Sequence, residues 1–437
     1  MKTLRSLLTL LALAFLLLQP LHAAAAGTPV LVLTIDGPIA PAAREYLHRG
    51  LRTAEQNGAQ AVILQLDTPG GDLGSMQDMV TDIRTSSVPV IVYVTPRGAW
   101  AASAGAVITM AGHASAMAPE TAIGAASPVS GEGQDLTETM ETKVKNQMKA
   151  AVAPLVAHRS PEAQELAAAM IEEARAVSSD EALEIGLIDF IADDLDDLLQ
   201  QLDGFTVETA SGPQTLQTAG AQAQTLGMTL IEELLNILTD PNIVFLLLSI
   251  GVQAILIEIS SPGGWVAGFI GAVCLALAAY GLGILTVNWF GLIFFVIAFV
   301  LFIVDVKAAT HGGLTAAGIG SFIVGALVLF NSPGTPTFQR VSLPLVILVA
   351  VVIGITFAII VGFSIRTLKA RAHMGRESLA GTSGVAVSRF TPDGQVQAAG
   401  ELWSADPAEG SGKIRKGDRV EIVSVEGLRL KVRKKDR

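Results

Sequence analysis

The chain has 437 residues, a formal net charge of −11 at pH 7 and a single cysteine, Cys274. This length is enough for two or three domains, the acidic balance disfavours nucleic acid as the main partner, and the lone cysteine excludes an internal disulfide and a cysteine metal cluster. Hydrophobic residues make up 51% of the chain and the mean hydropathy is +0.52, which indicates membrane segments. The histidines show no metal-ligand spacing, so we expect no metal and no cofactor.

Residues 1–26 have the pattern of a secretory signal. Lys2 and Arg5 supply a basic start, residues 7–18 form an apolar core, and residues 23–26 form a small-residue cleavage site. An uncleaved anchor helix is the alternative interpretation. Under either interpretation, we expect the following domain to leave the cytoplasm.

Residues 27–203 alternate apolar, strand-like runs with helix-like stretches. This pattern predicts an α/β domain with a mostly parallel sheet. One run, residues 61–66, leads into Thr68-Pro69-Gly70-Gly71, and another, residues 90–94, precedes Ala102-Ser103-Ala104-Gly105 at the start of a predicted helix. Such folds place their chemistry at the carboxyl ends of parallel strands.

The serine and the glycine pair indicate acyl transfer, and peptide hydrolysis in particular. Ser103 at a helix N-terminus lies beside the positive end of the helix dipole. Gly70 and Gly71 let the backbone approach a substrate and aim N–H groups at a developing oxyanion. A small residue that only packs a helix is the alternative for Ser103.

A serine nucleophile needs a base, and the sequence favours a lysine. His48, His113 and His158 show no companion acid pattern. Helical periodicity places Lys143 at the border of a buried stripe and Lys145 on the far side of the helix. Burial lowers the pKa of a lysine, so Lys143 is the predicted base and Lys145 the alternative. The predicted stripe consists of Met140, Val144, Gln147, Met148, Ala151 and Leu155.

Residues 204–240 are predicted to form a linker, and residues 241–368 a membrane domain. The membrane domain contains five apolar stretches, and the one at 314–330 is marginal in length. A basic cluster follows the last stretch, and the positive-inside rule places it in the cytoplasm. Five spans after an exported domain also place the C-terminus in the cytoplasm. The basic cluster consists of Arg366, Lys369, Arg371 and Arg376.

Two loops of the membrane domain have similar sequences. Glu258 precedes a diglycine at 263–264, and Asp305 precedes His311 and a diglycine at 312–313. The similarity predicts a duplicated helix pair. We interpret the acidic residues as parts of ordinary packing or as snorkelling carboxylates, with an ion path as the alternative.

Residues 376–437 contain five short alternating runs separated by glycine turns, which predict a small barrel of the OB type. Few aromatic residues are available to stack bases, and the charges are nearly balanced. We therefore interpret the barrel as a protein-interaction module rather than a nucleic-acid binder.

Residues 28–200 resemble the ClpP/crotonase-type serine protease domain of the NfeD family of membrane-bound proteases. The membrane region and the Gly400-Glu401-Leu402-Trp403 segment of the barrel also resemble that family, so the resemblance covers nearly the whole chain. The motifs of the first domain are Leu66-Asp67-Thr68-Pro69-Gly70-Gly71, Ala101-Ala102-Ser103-Ala104-Gly105, Ile123-Gly124-Ala125-Ala126-Ser127-Pro128, Lys143-Val144-Lys145-Asn146 and Ser179-Asp180-Glu181-Ala182-Leu183.

The resemblance implies a serine endopeptidase with a Ser103–Lys143 dyad and an oxyanion hole formed by Gly70, Gly71 and Ala104. It also implies a stomatin-like membrane protein as partner and substrate, and we expect a homo-oligomer. Lys145 stands where related sequences often carry an uncharged residue, so Lys145 remains the alternative to Lys143 as the base. The alternatives are a non-enzymatic membrane scaffold that partners stomatin-like proteins, and an acyl-CoA enzyme, which an exported domain disfavours.

Overall fold

The structure is a computed structural model that describes residues 28–128, 138–260, 264–308, 310, 312–332, 335, 339–369 and 379–435. The predicted signal at 1–26, the loop before residue 138, His311 and part of the basic cluster lie outside these residues. The described chain forms two compact units, which divide after residue 356.

Strands and helices alternate along the first domain, as the sequence predicts. The strands are β1 (Val30–Asp36), β2 (Ala61–Asp67), β3 (Val90–Val94), β4 (Trp100–Ala102), β5 (Ala114–Met117), β6 (Ala122–Gly124), β7 (Ala176–Ser178), β8 (Phe190–Ile191), β9 (Thr206–Thr209), β10 (Gly212–Thr215) and β11 (Ala223–Thr225). The helices are α1 (Pro41–Gln56), α2 (Leu73–Thr85), α3 (Ala104–Ala111), α4 (Glu138–Val156), α5 (Pro161–Glu172), α6 (Ser179–Ile185) and α7 (Leu195–Leu202).

The main sheet of the described domain has the order β11-β1-β2-β3-β5-β8, and all of its pairs are parallel. Strands β2 and β3 are almost continuously apolar and buried, because helices cover both faces of such a sheet. A small second sheet, in the order β4-β6-β7, lies beyond the carboxyl ends of β2 and β3. The predicted α/β class is therefore confirmed.

The linker predicted at 204–240 is wrong for most of its length. Strands β9 and β10 form an antiparallel hairpin, β11 joins the edge of the main sheet beside β1, and a further helix, α8 (Leu230–Ile237), follows. The three residues of β11 are all exposed and show no apolar pattern. Their conformation depends on the free edge of β1, which local sequence does not reveal.

Five apolar helices follow: α9 (Pro241–Ser260), α10 (Val266–Ile284), α11 (Phe290–Ala308), α12 (Gly313–Phe330) and α13 (Leu343–Lys369). Among the described residues, α9, α10 and α12 are long and apolar enough to cross a bilayer by length and composition. Helices α11 and α13 contain shorter apolar stretches, at Phe290–Asp305 and Leu343–Ile359. The stretch at 314–330, which the sequence marks as marginal in length, thus lies in one of the three helices that could span a bilayer.

The predicted duplication is visible in two helix pairs, α9–α10 and α11–α12. The Glu258 carboxylate accepts hydrogen bonds from the N–H groups of Trp265 and Gly268, at 3.2 and 3.3 Å. The Asp305 carboxylate accepts from the hydroxyl of Thr315, again ten residues further along the chain. Each acid therefore binds the first turn of the next helix, which gives both carboxylates a structural role.

The C-terminal unit contains the end of α13 and a closed barrel, and the sequence predicts the barrel. Strands β12 (Ser383–Ala386), β13 (Gly394–Ala398), β14 (Glu401–Pro407), β15 (Arg419–Glu426) and β16 (Arg429–Lys434) close in the order β12-β13-β14-β16-β15. Alternate residues point into the barrel, where Val396, Ile422 and Val432 are completely buried.

A nearly buried ion pair holds the connection between α4 and α5 against the main sheet. The Arg159 guanidinium binds both carboxylate oxygens of Asp189, at 2.5 and 2.8 Å, and the two side chains are 10% and 16% exposed. Asp189 also accepts the Ser115 N–H at 2.8 Å. Loss of Arg159 would leave this carboxylate inside the protein without its counter-charge.

We expect Arg159→Met to destabilise this region by about 3 kcal/mol, because removal of one partner of a buried pair is strongly destabilising. Hydrogen exchange of the β5 amides in the detergent-solubilised chain should accelerate by about 100-fold. Arg97→Met is the matched control, since Arg97 is 52% exposed and pairs with Glu120 and Asp193 at the surface. Equal effects of the two variants would contradict the role assigned to the buried pair.

Candidate active site

Ser103 occupies a sharp turn between β4 and α3. Its φ is +54° and its ψ is −113°, a conformation that is uncommon for a residue with a side chain and that stores backbone strain. Its N–H donates to the Gly124 carbonyl at 2.8 Å, which fixes the turn from the second sheet. The side chain is half-buried, and its hydroxyl has no hydrogen-bond partner among the described residues. A strained strand-to-helix turn of this kind can present a nucleophile.

The segment after β2 lies directly beside this turn. Thr68 pairs with β4 through two backbone hydrogen bonds: its N–H donates to the Trp100 carbonyl at 2.7 Å and its carbonyl accepts from Ala102 at 3.0 Å. On the other side, the Ile39 N–H donates to the Gly70 carbonyl at 2.8 Å. The two motifs that the sequence analysis singled out are thus neighbours in the structure.

Close contacts with neighbouring residues require glycine at both positions of this segment. Gly70 has a φ of +115°, and a Cβ atom there would lie 2.7 Å from the Ser103 Cβ and 3.2 Å from its Oγ. A Cβ atom at Gly71 would lie 2.1 Å from the Ile39 carbonyl oxygen. The backbone can approach the serine hydroxyl because neither position carries a side chain.

Two backbone N–H groups near the Ser103 turn are unpaired in the part of the chain that the structure describes. The N–H groups of Gly71 and Ala104 have no hydrogen-bond partner among the described residues, and Ala104 begins α3 at the positive end of its dipole. By contrast, the Gly70 N–H already donates to the Thr68 hydroxyl at 3.1 Å. The prediction that Gly70 donates to the oxyanion therefore differs from the structure, in which Gly70 has a steric role.

The burial argument that led to Lys143 is wrong. Lys143 is exposed on α4, whereas the Lys145 side chain is only 16% exposed. Met140, in the first turns of the helix, is 48% exposed and Gln147 is also exposed, so the packed stripe is rotated from the predicted one. The residues that pack inward are Val144, Met148, Val152, Leu155 and Val156.

Ion pairing also distinguishes the three lysines of α4. Unlike burial, it favours Lys143 as the available amine. The Lys145 ammonium lies 2.7 Å from the Glu141 carboxylate and donates to the Glu172 carbonyl at 3.0 Å. The hydrogen bond with Glu141 raises the pKa of Lys145, which makes that amine a poorer base. Lys149 is bound to the Glu172 carboxylate at 2.6 Å. Lys143 has no ion pair or hydrogen bond within the described chain, so its amine is the one that remains available.

The described histidines differ in their surroundings, and His48 has an acid neighbour that the sequence pattern did not indicate. His113 is buried, its Nδ1 accepts the Val90 N–H at 2.9 Å, and burial lowers its pKa to about 4. His48 lies 3.5 Å from Asp82 on the neighbouring helix. Burial also lowers the pKa of His158. Of these three side chains, none contacts Ser103.

Sequence reasoning assigned no role to three residues near this turn. Thr68 is completely buried, and its hydroxyl organises the Gly70 backbone. Trp100 lies three residues before Ser103 and is 55% exposed, although it belongs to a strand. Leu73 is a second exposed apolar residue, just after the diglycine. The sequence did contain a signal for this surface, namely a tryptophan close to the candidate nucleophile. Exposed apolar patches mark binding surfaces.

Three family models match consecutive parts of the chain. The N-terminal domain of NfeD1b matches residues 29–210, the NfeD integral membrane domain matches residues 242–363, and the NfeD-like C-terminal, partner-binding domain matches residues 376–434. The three matches correspond, in order, to the α/β domain, the apolar helices and the barrel.

Full-length relatives share this arrangement. A membrane-bound protease of Pyrococcus horikoshii is 33% identical over 410 residues, which cover 92% of both chains. The membrane protein NfeD1b of Bacillus subtilis is 28% identical over 94% of both chains. A solved structure of a membrane protease from Pyrococcus horikoshii, described as specific for a stomatin homologue, is 31% identical, covers 49% of this chain and all of that one, and has a TM-score of 0.43.

The extent of these matches confirms the family that the motifs indicated. The α/β domain, the membrane region and the small barrel occur in the predicted order. The chain is membrane-bound, and it belongs to the NfeD family of membrane proteins.

Proposed function

We propose that this chain is a membrane-bound serine endopeptidase with Ser103 as nucleophile and Lys143 as base. The observation that carries this proposal is the strained turn that holds a free serine hydroxyl against Gly70, with unpaired N–H groups at Gly71 and Ala104. Full-length similarity to a membrane-bound protease supports the same reaction class.

The reaction follows from the roles of these groups. The Ser103 Oγ attacks the peptide carbonyl while the neutral Lys143 amine accepts its proton, and the Gly71 and Ala104 N–H groups stabilise the oxyanion. Lys143 then gives the proton to the leaving amine, and an acyl-enzyme forms. Water, deprotonated by the same lysine, hydrolyses the ester and restores Ser103.

The surroundings of Ser103 favour an apolar substrate segment close to the membrane. Trp100, Leu73 and Met140 are all exposed on elements that flank the turn or carry Lys143. The membrane helices begin only a few residues after the first domain ends, which keeps the site near the bilayer. We propose a stomatin-like membrane protein as the substrate and partner, on the basis of the family relationship, and a homo-oligomer as the active form.

We further propose that the first domain lies outside the cytoplasm and the barrel inside, in a multi-pass cell-membrane protein. The signal-like N-terminus, five apolar helices and the basic residues from Arg366 onward support this topology.

Ser103→Ala should reduce hydrolysis of an apolar peptide by about 10⁴-fold or more, because the nucleophile is lost. The fold should persist, since alanine can adopt the same backbone conformation with a similar strain. The measurement compares the purified full-length variant and wild type, together with labelling by a fluorophosphonate probe. Ser87→Ala is the control, since Ser87 lies on the surface beside Glu55. Hydrolysis by Ser103→Ala at the wild-type rate would exclude the proposed nucleophile, and an inactive, unlabelled wild type would favour the scaffold alternative.

Lys143→Ala should be as damaging as Ser103→Ala, whereas Lys145→Ala and Lys149→Ala should retain most of the activity. The last two lysines are bound to carboxylates, so their amines are not available as bases. Because the members of one catalytic unit act non-additively, the Ser103–Lys143 double variant should be no worse than either single one. A larger loss in Lys145→Ala than in Lys143→Ala would reassign the base.

A tag inserted after Ala219, in the exposed turn at Gly220, should be digested by protease added to intact spheroplasts. A tag at the C-terminus should be digested only after lysis, because an odd number of spans separates the two positions. Digestion of both tags in intact spheroplasts, or of neither, would contradict five spans.

A further inference from the structure

Helix α8 exposes an apolar face between the α/β domain and the first membrane helix. Leu230, Ile231, Leu234 and Ile237 are 85%, 71%, 50% and 47% exposed. At 3.6 residues per turn, Leu230, Leu234 and Ile237 lie along one side of the helix and Ile231 borders them. Four large apolar side chains on eight residues form a surface that water solvates poorly.

The opposite side of α8 is fixed to the α/β domain. Glu232 is 6% exposed, and its carboxylate binds the Arg49 guanidinium of α1 through two bonds of 2.8 and 2.7 Å. Arg49 also donates to the Gly227 carbonyl at 2.8 Å. The Thr229 hydroxyl and the Glu232 carboxylate form a capping box at the start of the helix. The apolar face is therefore held in a fixed orientation.

The C-terminal end of α8 lies at the ends of the membrane helices. Leu238 is buried, and its carbonyl oxygen is 2.9 Å from the position that a Cβ atom would take at Gly281, near the end of α10. The Val244 N–H at the start of α9 donates to the Asp240 carbonyl. Trp289, which is 53% exposed, follows the end of α10 on the same side. Tryptophan is enriched at membrane boundaries, so α8 is located at the level of the lipid headgroups.

We propose that α8 is an interfacial membrane helix, whose four apolar side chains insert at the boundary between headgroups and acyl chains. Lipid is the occupant that the structure favours, because the C-terminal end of α8 lies beside the ends of α9 and α10, which are long and apolar enough to cross a bilayer. Helices of this kind bury their apolar side about 5–10 Å into the interface. The inference concerns membrane contact and does not depend on the proposed peptidase chemistry.

This contact orients the α/β domain on the bilayer. Strand β11 runs parallel to β1, so the chain leaves the sheet toward the edge at which Gly70 and Ser103 lie. The Tyr46 hydroxyl binds the Leu226 carbonyl, and the Leu226 N–H donates to Val32 at 3.0 Å. The pair of Arg49 and Glu232 completes a rigid connection from the sheet to the membrane.

Spin labels can locate α8 relative to the bilayer in the full-length protein. In a Cys274→Ser background, nitroxides are attached at Leu234→Cys and, as the control, at Gln77→Cys on the exposed side of α2. The protein is reconstituted in phosphatidylcholine vesicles, and relaxation by oxygen and by a water-soluble nickel chelate is measured. We expect the label at 234 to collide more with oxygen, and the label at 77 to collide more with the nickel chelate.

Two outcomes would overturn the proposal. One is an equal ratio of oxygen to nickel collisions at positions 234 and 77, which would place α8 in water. The other is dipolar broadening at 234 that disappears on dilution with unlabelled protein, which would show that a second copy covers the face.

A further variant tests the fixed orientation of α8. Arg49→Met should increase the mobility of the label at 234, whereas Arg52→Met, at an exposed neighbour on α1, should leave that mobility unchanged.

Discussion

The close approach of Gly70 to Ser103 is the contact on which the site depends. It requires a glycine with positive φ after β2, a strained serine after β4, and the pairing of Thr68 with β4 that holds the two segments together. The strain at Ser103 is offset by the surrounding packing, since every residue of α3 is buried and this helix begins directly after Ser103. A free hydroxyl and unpaired N–H groups thus come together beside a buried helix.

The choice among the lysines shows that burial is not the only control on basicity. Lys145 is less exposed than Lys143, but the hydrogen bond with Glu141 raises the pKa of Lys145, and Lys149 is ion-paired with Glu172. Lys143 is exposed and unpaired in the described chain. A lysine that is to accept a proton must avoid such carboxylates, and in this helix the neighbouring acids are bound to other amines.

The connection between the α/β domain and the membrane region adds a second constraint. Strand β11 and α8 replace the linker that composition suggested with a short, hydrogen-bonded connection. Beyond it, Glu258 and Asp305 each bind the first turn of the following helix, which defines the two repeated hairpins. Glu258 binds backbone N–H groups and Asp305 binds threonine hydroxyls, and unpaired polar groups of either kind would be costly between apolar helices.

The sequence by itself determined the order of the three domains, the parallel sheet, the barrel and the meeting of Ser103 with Gly70, because strand runs, glycine pairs and apolar stretches are local signals. It did not determine which side of α4 is buried, since that depends on the helices packed against α4. It also missed β11, whose pairing needs the free edge of β1, and the hydrogen bond that commits the Gly70 N–H to Thr68. These features follow from contacts between distant segments, which only the tertiary structure decides.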